Sequence, residues 1–197
     1  MSNDRLIPTA VFLSGGGRTL ENLLQHVRTD SLPIDVRLVL SSSAKVRGVE
    51  VGRNAGIDTR VVLKSKFLTS ETYRDAMFGP CREVGAKLVV MAGFLKHVLV
   101  PDDFNRRVVN IHPSLIPAFS GEGMYGHRVH EAAIRRGVQF SGCTVHFVDN
   151  DYDHGPIILQ RVCAVPKDCS PNQLAAAVFE LECEALPAAI KDIAADL

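Results

Sequence analysis

The order in which hydrophobic periodicity changes along the chain restricts its fold more than any other feature. Leu6–Leu13 is a short apolar run that stops at Ser14-Gly15-Gly16-Gly17. Arg18–Arg28 follows, with Leu20, Leu23, Leu24 and Val27 at helical spacing. Val36–Leu40 reads as a second strand, Val46–Ala55 as a helix closed by Gly56, and Thr59–Leu63 as a third strand. Ser70–Val84 reads as a helix that Gly79-Pro80 is expected to kink or divide. Leu88–Ala92 and Val108–Ile111 are further runs of the buried type. Such a β-α-β-α-β order calls for a mainly parallel sheet with helices on both faces. The pattern then changes. Phe140–Val148 and Ile157–Val165 flank a polar turn and are expected to add antiparallel, mixed pairing at one edge. Pro171–Leu197 closes the chain as an Ala- and Glu-rich helix, expected to be interrupted at Pro187.

A chain of 197 residues without repeat or linker is expected to form one domain, 1–197. Lys plus Arg and Asp plus Glu both total 22, and this zero balance argues against nucleic-acid or membrane partners. A small-molecule protein is the reading that remains. Five cysteines (Cys81, Cys143, Cys163, Cys169 and Cys183) show no C-x-x-C pair or regular spacing. Free thiols in a reducing cytoplasm fit that scatter better than a disulfide framework or a metal site. The polar start Met-Ser-Asn-Asp-Arg leads into a short strand, so neither a signal peptide nor a membrane span is expected. The longest irregular stretch, Pro113–Gly126, has the length of a lid or binding loop.

Three segments carry chemistry. In Val108-Val109-Asn110-Ile111-His112-Pro113-Ser114, strand alternation sends Asn110 and His112 to one face, and Pro113 ends the strand. An amide donor beside a proton carrier is what polarising a carbonyl while moving a proton requires. Two satisfied polar residues at a strand end would look the same. The turn Ser14-Gly15-Gly16-Gly17-Arg18-Thr19 opens a helix, whose free N–H groups can receive an anion, with Arg18 and the Thr19 hydroxyl beside them. It matches neither G-x-G-x-x-G nor the P-loop, so one phosphate monoester fits better than a dinucleotide. Such a turn can also serve only to reverse the chain. In Asp149-Asn150-Asp151-Tyr152-Asp153-His154-Gly155-Pro156, three carboxylates allow a cation loop, an acidic turn, or a single Asp that orients His112. Spacing leaves those three open.

Asn110-Ile111-His112-Pro113-Ser114-Leu115-Ile116-Pro117 resembles the signature of the folate-dependent formyltransferases. Phe12–Gly17, Ala92-Gly93-Phe94, Thr144–Val148 and Asp153-x-Gly155-Pro156-Ile157-Ile158 extend the resemblance, in order, over nearly the whole chain. It points to the branch that formylates phosphoribosylglycinamide in purine (IMP) biosynthesis. The resemblance implies a three-layer, Rossmann-like α/β formyltransferase fold. A phosphate-binding half would span about 1–100 and a catalytic, folate-binding half about 101–197. It implies Asn110, His112 and Asp153 as the catalytic set and Gly17, Arg18 and Thr19 as the substrate's phosphate site. Glu182 would bind the amine or glycinamide end. Leu95, Lys96, His97 and Val98, with Asn110, Asp149 and Asp153, would hold 10-formyltetrahydrofolate, the co-substrate, with no metal. A cytoplasmic monomer or homodimer with two small-molecule substrates is expected.

Departures from the family pattern cluster on the folate side. Arg18-Thr19 stands where Ser-Asn is commoner, and Ser70 falls where bacterial members carry a folate-associated arginine. Leu95-Lys96-His97-Val98 replaces the more usual Met-Arg-Ile-Leu. His97, His127 and His130 read as surface or lid residues rather than catalysts. His146 could support the site from behind, and neither it nor His154 is given a role. Competing readings are formyltetrahydrofolate hydrolysis with water as nucleophile, formylation of an amino sugar nucleotide, and a non-catalytic nucleotide-binding module. The hydrolase normally carries an N-terminal regulatory domain, for which a first strand at Leu6 leaves no room, and it would have no use for a phosphate turn. Amino-sugar formylating enzymes generally lack this Gly-rich turn. A binding module has no need of Asn110, His112 and Asp153 together.

Overall fold

The computed structural model describes residues 6–29 and 31–196. Seven strands form one sheet in the order β3-β2-β1-β4-β5-β6-β7. These are β1 (Ile7–Leu13), β2 (Ile34–Ser41), β3 (Asp58–Val61), β4 (Leu88–Met91), β5 (Val108–His112), β6 (Phe140–Phe147) and β7 (Ile157–Ala164). The first five pair in parallel, whereas β5–β6 and β6–β7 are antiparallel, giving the expected mixed edge. Helices α1 (Arg18–Arg28), α2 (Arg47–Asn54), α3 (Ser70–Glu83), α4 (His127–Arg136) and α5 (Pro171–Ala194) complete the layers.

Strand alternation divides the interior into two cores. Val11 and Leu13 of β1, Val39 of β2, and Val109 and Ile111 of β5 face the helices α1, α4 and α5. Ala10, Phe12, Leu38, Leu40 and Val108 face the other way, toward Tyr73, Met77 and Phe78 of α3. Since Val108 lies on the α3 side, Asn110 and His112 continue that line past the end of the core. Parallel strands buried on both faces explain why these runs are almost purely apolar.

Two local expectations are corrected, and one helix is added. Pro80 does not divide α3 and Pro187 does not interrupt α5, which runs unbroken over Pro171–Ala194. Pro187 removes one backbone donor, but it is buried beside Leu186, Ala189 and Ile190, whose packing into the core holds the helix together. Helix α4 went unread because its buried face is built from Val129, Ala132 and Ala133, a weak apolar stripe. Its stop signal was present in Arg135-Arg136-Gly137, with Gly137 in the left-handed conformation that ends helices.

Candidate active site

Strand order reverses direction between β1 and β4, and in open parallel sheets such a crevice outside the strands' C-terminal ends receives ligands. A cavity of about 540 Å³ lies there, between the segments that follow β1, β4 and β5. Gly17, Arg18, Thr19, Leu95, Lys96, His97, Val98, Asn110, His112, Asp149, Asp153 and Glu182 all line it. Ser70 does not; it begins α3 and is exposed.

The Gly-rich turn forms one end. Gly17 caps α1 at φ 77°, leaving the helix's first N–H groups without a side-chain cap. A Cβ at Gly17 would lie 2.7 Å from Gly48 Cα, so the turn is pressed onto the start of α2. The N–H of Gly48 donates to the Gly15 carbonyl at 3.1 Å, and Arg47 reaches the Gly16 carbonyl while pairing with Glu21. An anion placed here meets a rigid set of donors. The Arg18 guanidinium stacks on the Phe179 ring, 3.8 Å from its centroid.

Glu182 lies one helical turn beyond Phe179 on the same cavity wall. Burial pushes its carboxyl up to about 7, against the opposing pull of the Arg18 charge. A carboxyl raised above its ordinary 4.5 costs stability when ionised. The cost is absent below that value, grows between the two and is complete above about 7. Glu182→Gln is therefore expected to stabilise the free protein at pH 8 by on the order of 2–3 kcal/mol and to change nothing at pH 4. Urea midpoints at the two pH values check this.

At the cavity's centre, antiparallel register sets Asn110 opposite His146 and His112 opposite Thr144. His146 is buried, and burial lowers its pKa, keeping the ring neutral. Its Nδ1–H donates to the Phe147 carbonyl at 2.8 Å, so Nε2 is left as an acceptor. Asn110 Nδ2 donates to that Nε2 at 3.1 Å. This contact sets which way the amide faces and leaves one N–H of Asn110 for a ligand. His146 is thus a functional residue to which sequence reasoning gave no role. Its spacing from Asn110 follows only from the register.

His112 is 4% exposed. Its Nε2 donates to the Phe119 carbonyl at 2.9 Å, and its Nδ1 lies 3.4 Å from Asp153 Oδ2, an ion-pair rather than hydrogen-bond distance. The same Asp153 oxygen accepts the Gly121 N–H at 2.9 Å. Of the three acids in the loop, Asp153 is therefore the one that meets His112. Asp149 instead takes the Asp151 N–H at 3.0 Å and the His154 ring at 2.8 Å, closing the loop on itself. The stretch Pro113–Gly126 is fastened to the site. Thr144 Oγ1 accepts the Ile116 N–H and donates to the Ser114 carbonyl, and Gln160 reaches the Ile116 carbonyl. Phe119 and Gly121 act through the main chain, where sequence carries no signal.

His130 is corrected from a surface or lid residue to a buried one, on α4 and lining the cavity. Burial, with the nearby His127 and His112, lowers its pKa to about 4. His127 is exposed, as expected. Among the described residues, no group of three His, Cys, Asp or Glu side chains is placed to hold a metal ion. All five cysteines are free.

A three-layer α/β fold on a mixed, mainly parallel sheet, with an Asn–His–Asp cluster beside a glycine-rich helix start, defines the class. A family model described as formyl transferase matches residues 8–190, and the chain belongs to that family. It is 38% identical over 177 residues to the chloroplastic phosphoribosylglycinamide formyltransferase of Vigna unguiculata. That match takes in 88% of this chain but only 56% of the plant protein. It is 33% identical to phosphoribosylglycinamide formyltransferase of Escherichia coli (strain K12), over 85% of this chain and 78% of that one. The crystal structure of glycinamide ribonucleotide transformylase 1 from Symbiobacterium toebii superposes with a TM-score of 0.90 at 32% identity, covering 98% of this chain and 89% of that one.

Proposed function

We propose that this chain transfers the formyl group of 10-formyltetrahydrofolate to the amine of N1-(5-phospho-D-ribosyl)glycinamide, a step of de novo purine biosynthesis. One observation carries the reading. A single cavity joins an anion cradle at Gly17–Thr19, a carboxyl at Glu182, the Asn110–His112–Asp153 cluster and the wall of residues 95–98. That sequence of features suits a phosphorylated amine and a bulky formyl donor bound end to end.

In this reading the cradle and Arg18 take the phosphate, and Glu182 takes the amine. The amine nitrogen attacks the formyl carbon, the carbonyl π bond breaks, and its electron pair becomes an oxyanion. The free N–H of Asn110 faces that charge, and the His112–Asp153 pair lies beside it. Collapse of the adduct breaks the carbon–N10 bond of the folate. The proton lost by the amine reaches the departing nitrogen through water and the His112–Asp153 pair. Every atom is accounted for without a covalent enzyme intermediate. The five free cysteines suit the reducing cytoplasm that belongs to this reading.

Hydrolysis of the donor is the second reading, favoured only by the chemistry that the three central residues would share. Incubation with 10-formyltetrahydrofolate, with and without phosphoribosylglycinamide, separates them by the rate at which deformylated folate appears. Turnover that depends on the amine is expected; equal turnover without it would overturn the proposal. Arg18→Ala is expected to raise the KM for the amine about tenfold, the worth of one charged hydrogen bond, with kcat nearly kept. An unchanged KM in steady-state assays would remove Arg18 from the phosphate site.

A further inference from the structure

The loop between β6 and β7 carries Asp153, yet much of its internal bonding ties it only to itself. Asp149 accepts from Asp151 and pairs with His154 inside the same loop. Asp153 itself sits at φ 51°, a left-handed conformation that an aspartate adopts at some cost. Apart from the Val148 N–H on the Val108 carbonyl and the contacts of Asp153 with Gly121, His112 and His146, the loop is attached to the body of the protein through the segment after β4. His97 Nε2 donates to the Asn150 carbonyl at 2.9 Å, and Asn150 Oδ1 accepts the Val100 N–H at 2.8 Å. The His97 ring also packs on Tyr152, with centroids 4.8 Å apart. Lys64 Nζ in turn donates to the His97 carbonyl at 3.0 Å, so His97 is itself held as it holds the loop.

We infer that His97 is a positioning residue that latches the Asp153 loop onto the β4 side of the cleft in the ligand-free protein. Two residues separate the latched carbonyl of Asn150 from Asp153. A shift at one is carried to the other because Gly155 and Pro156 close the far end of the loop on Phe147. The latch therefore fixes two things at once. It sets the distance from Asp153 to His112, and it sets the width of the wall made by residues 95–98 and 149–153, where the formyl donor's ring system would lie. The second part rests on the proposed formyl transfer; the first does not.

The experiment compares His97→Leu, which loses the donor, with His97→Gln, which can present an amide N–H in its place. In hydrogen exchange on the free, full chain, His97→Leu is expected to speed exchange at Val100 and Gly121 about tenfold, the effect of losing one hydrogen bond. His97→Gln is expected to exchange as the unaltered protein does. Since Gln keeps the bond and loses the ring, that recovery assigns the effect to the bond rather than to Tyr152 stacking. In the transfer assay, His97→Leu is expected to lower kcat and raise the KM for the folate about tenfold, because small displacements of reacting groups are costly. The KM for the amine should stay fixed.

His97→Phe, which keeps a ring beside Tyr152 and loses the donor, should loosen the same two amides, which keeps the test open if His97→Leu fails to fold. Unaltered exchange at Val100 and Gly121 in His97→Leu, or in His97→Phe if that is the variant that folds, would overturn the latch. Exchange needs no turnover. A chain that loosens as expected but never transfers formyl would therefore overturn the proposed function and keep the latch. Transfer with unaltered exchange would do the reverse.

Discussion

His112→Ala is expected to lower kcat by about 10²–10³, within the usual contribution of a positioned proton carrier, while both substrates still bind. The ring lies at the end of β5, where Pro113 turns the chain away, and its two nitrogens face the Phe119 carbonyl and the Asp153 carboxylate. Alanine removes the proton carrier but leaves the sheet intact, because the β5 backbone pairs on both sides. Asn110→Asp should lose a comparable factor by a different route. It keeps the shape, replaces the spare N–H with a carboxylate oxygen, and sets an acceptor against the acceptor nitrogen of His146. The two losses should not add, since both groups serve one transfer step. Single-turnover rates of the two variants and the double variant check this. Thermal midpoints near the unaltered protein's are part of the expectation. Unfolding of both variants would mean that the pair is merely structural.

What could be read from the chain beforehand follows from what each feature depends on. Placing Asn110 and His112 on one face needs only strand alternation, a local property, and it holds. The glycine-rich turn was legible because Gly17 must take a positive φ between a strand and a helix. The antiparallel edge was legible from the change of period. By contrast, the bond from Asn110 to His146 spans 36 positions and exists only once β6 has chosen its register on β5. The Phe119 carbonyl that meets His112 belongs to the main chain, and any residue there would supply one. Pro187 misled because the local cost of proline in a helix is visible in sequence, whereas the tertiary burial that offsets it is not. His130 misled in the same way: its burial comes from the undetected α4.

Gly155→Ala is expected to cost more than any other single methyl group in the site. Its Cβ would lie 1.9 Å from the Phe147 carbonyl oxygen and 2.8 Å from its carbon, both of them main-chain atoms. No side chain can swing aside to relieve that overlap. Phe147 is also held by its own N–H, which donates to the Pro156 carbonyl at 2.9 Å, so strand and loop must separate together. Overpacking of this kind typically costs about 1–3 kcal/mol, and a movement of Asp153 by an ångström can cost about 10²-fold in rate. Both losses are expected, read as a lowered urea midpoint and a lowered kcat. Gly142→Ala provides the comparison, for its Cβ would meet the Arg161 carbonyl oxygen at the same 1.9 Å, in the same hairpin but outside the Asp153 loop. It should lose similar stability and far less turnover. Gly16→Ala, with nothing within 4 Å of its Cβ, should change stability little. If Gly155→Ala loses stability alone and keeps its turnover, the glycine serves the hairpin and not the carboxylate. Paired losses in Gly155→Ala, against a stability loss alone in Gly142→Ala, would tie the close approach at Gly155 to the placement of Asp153 beside His112.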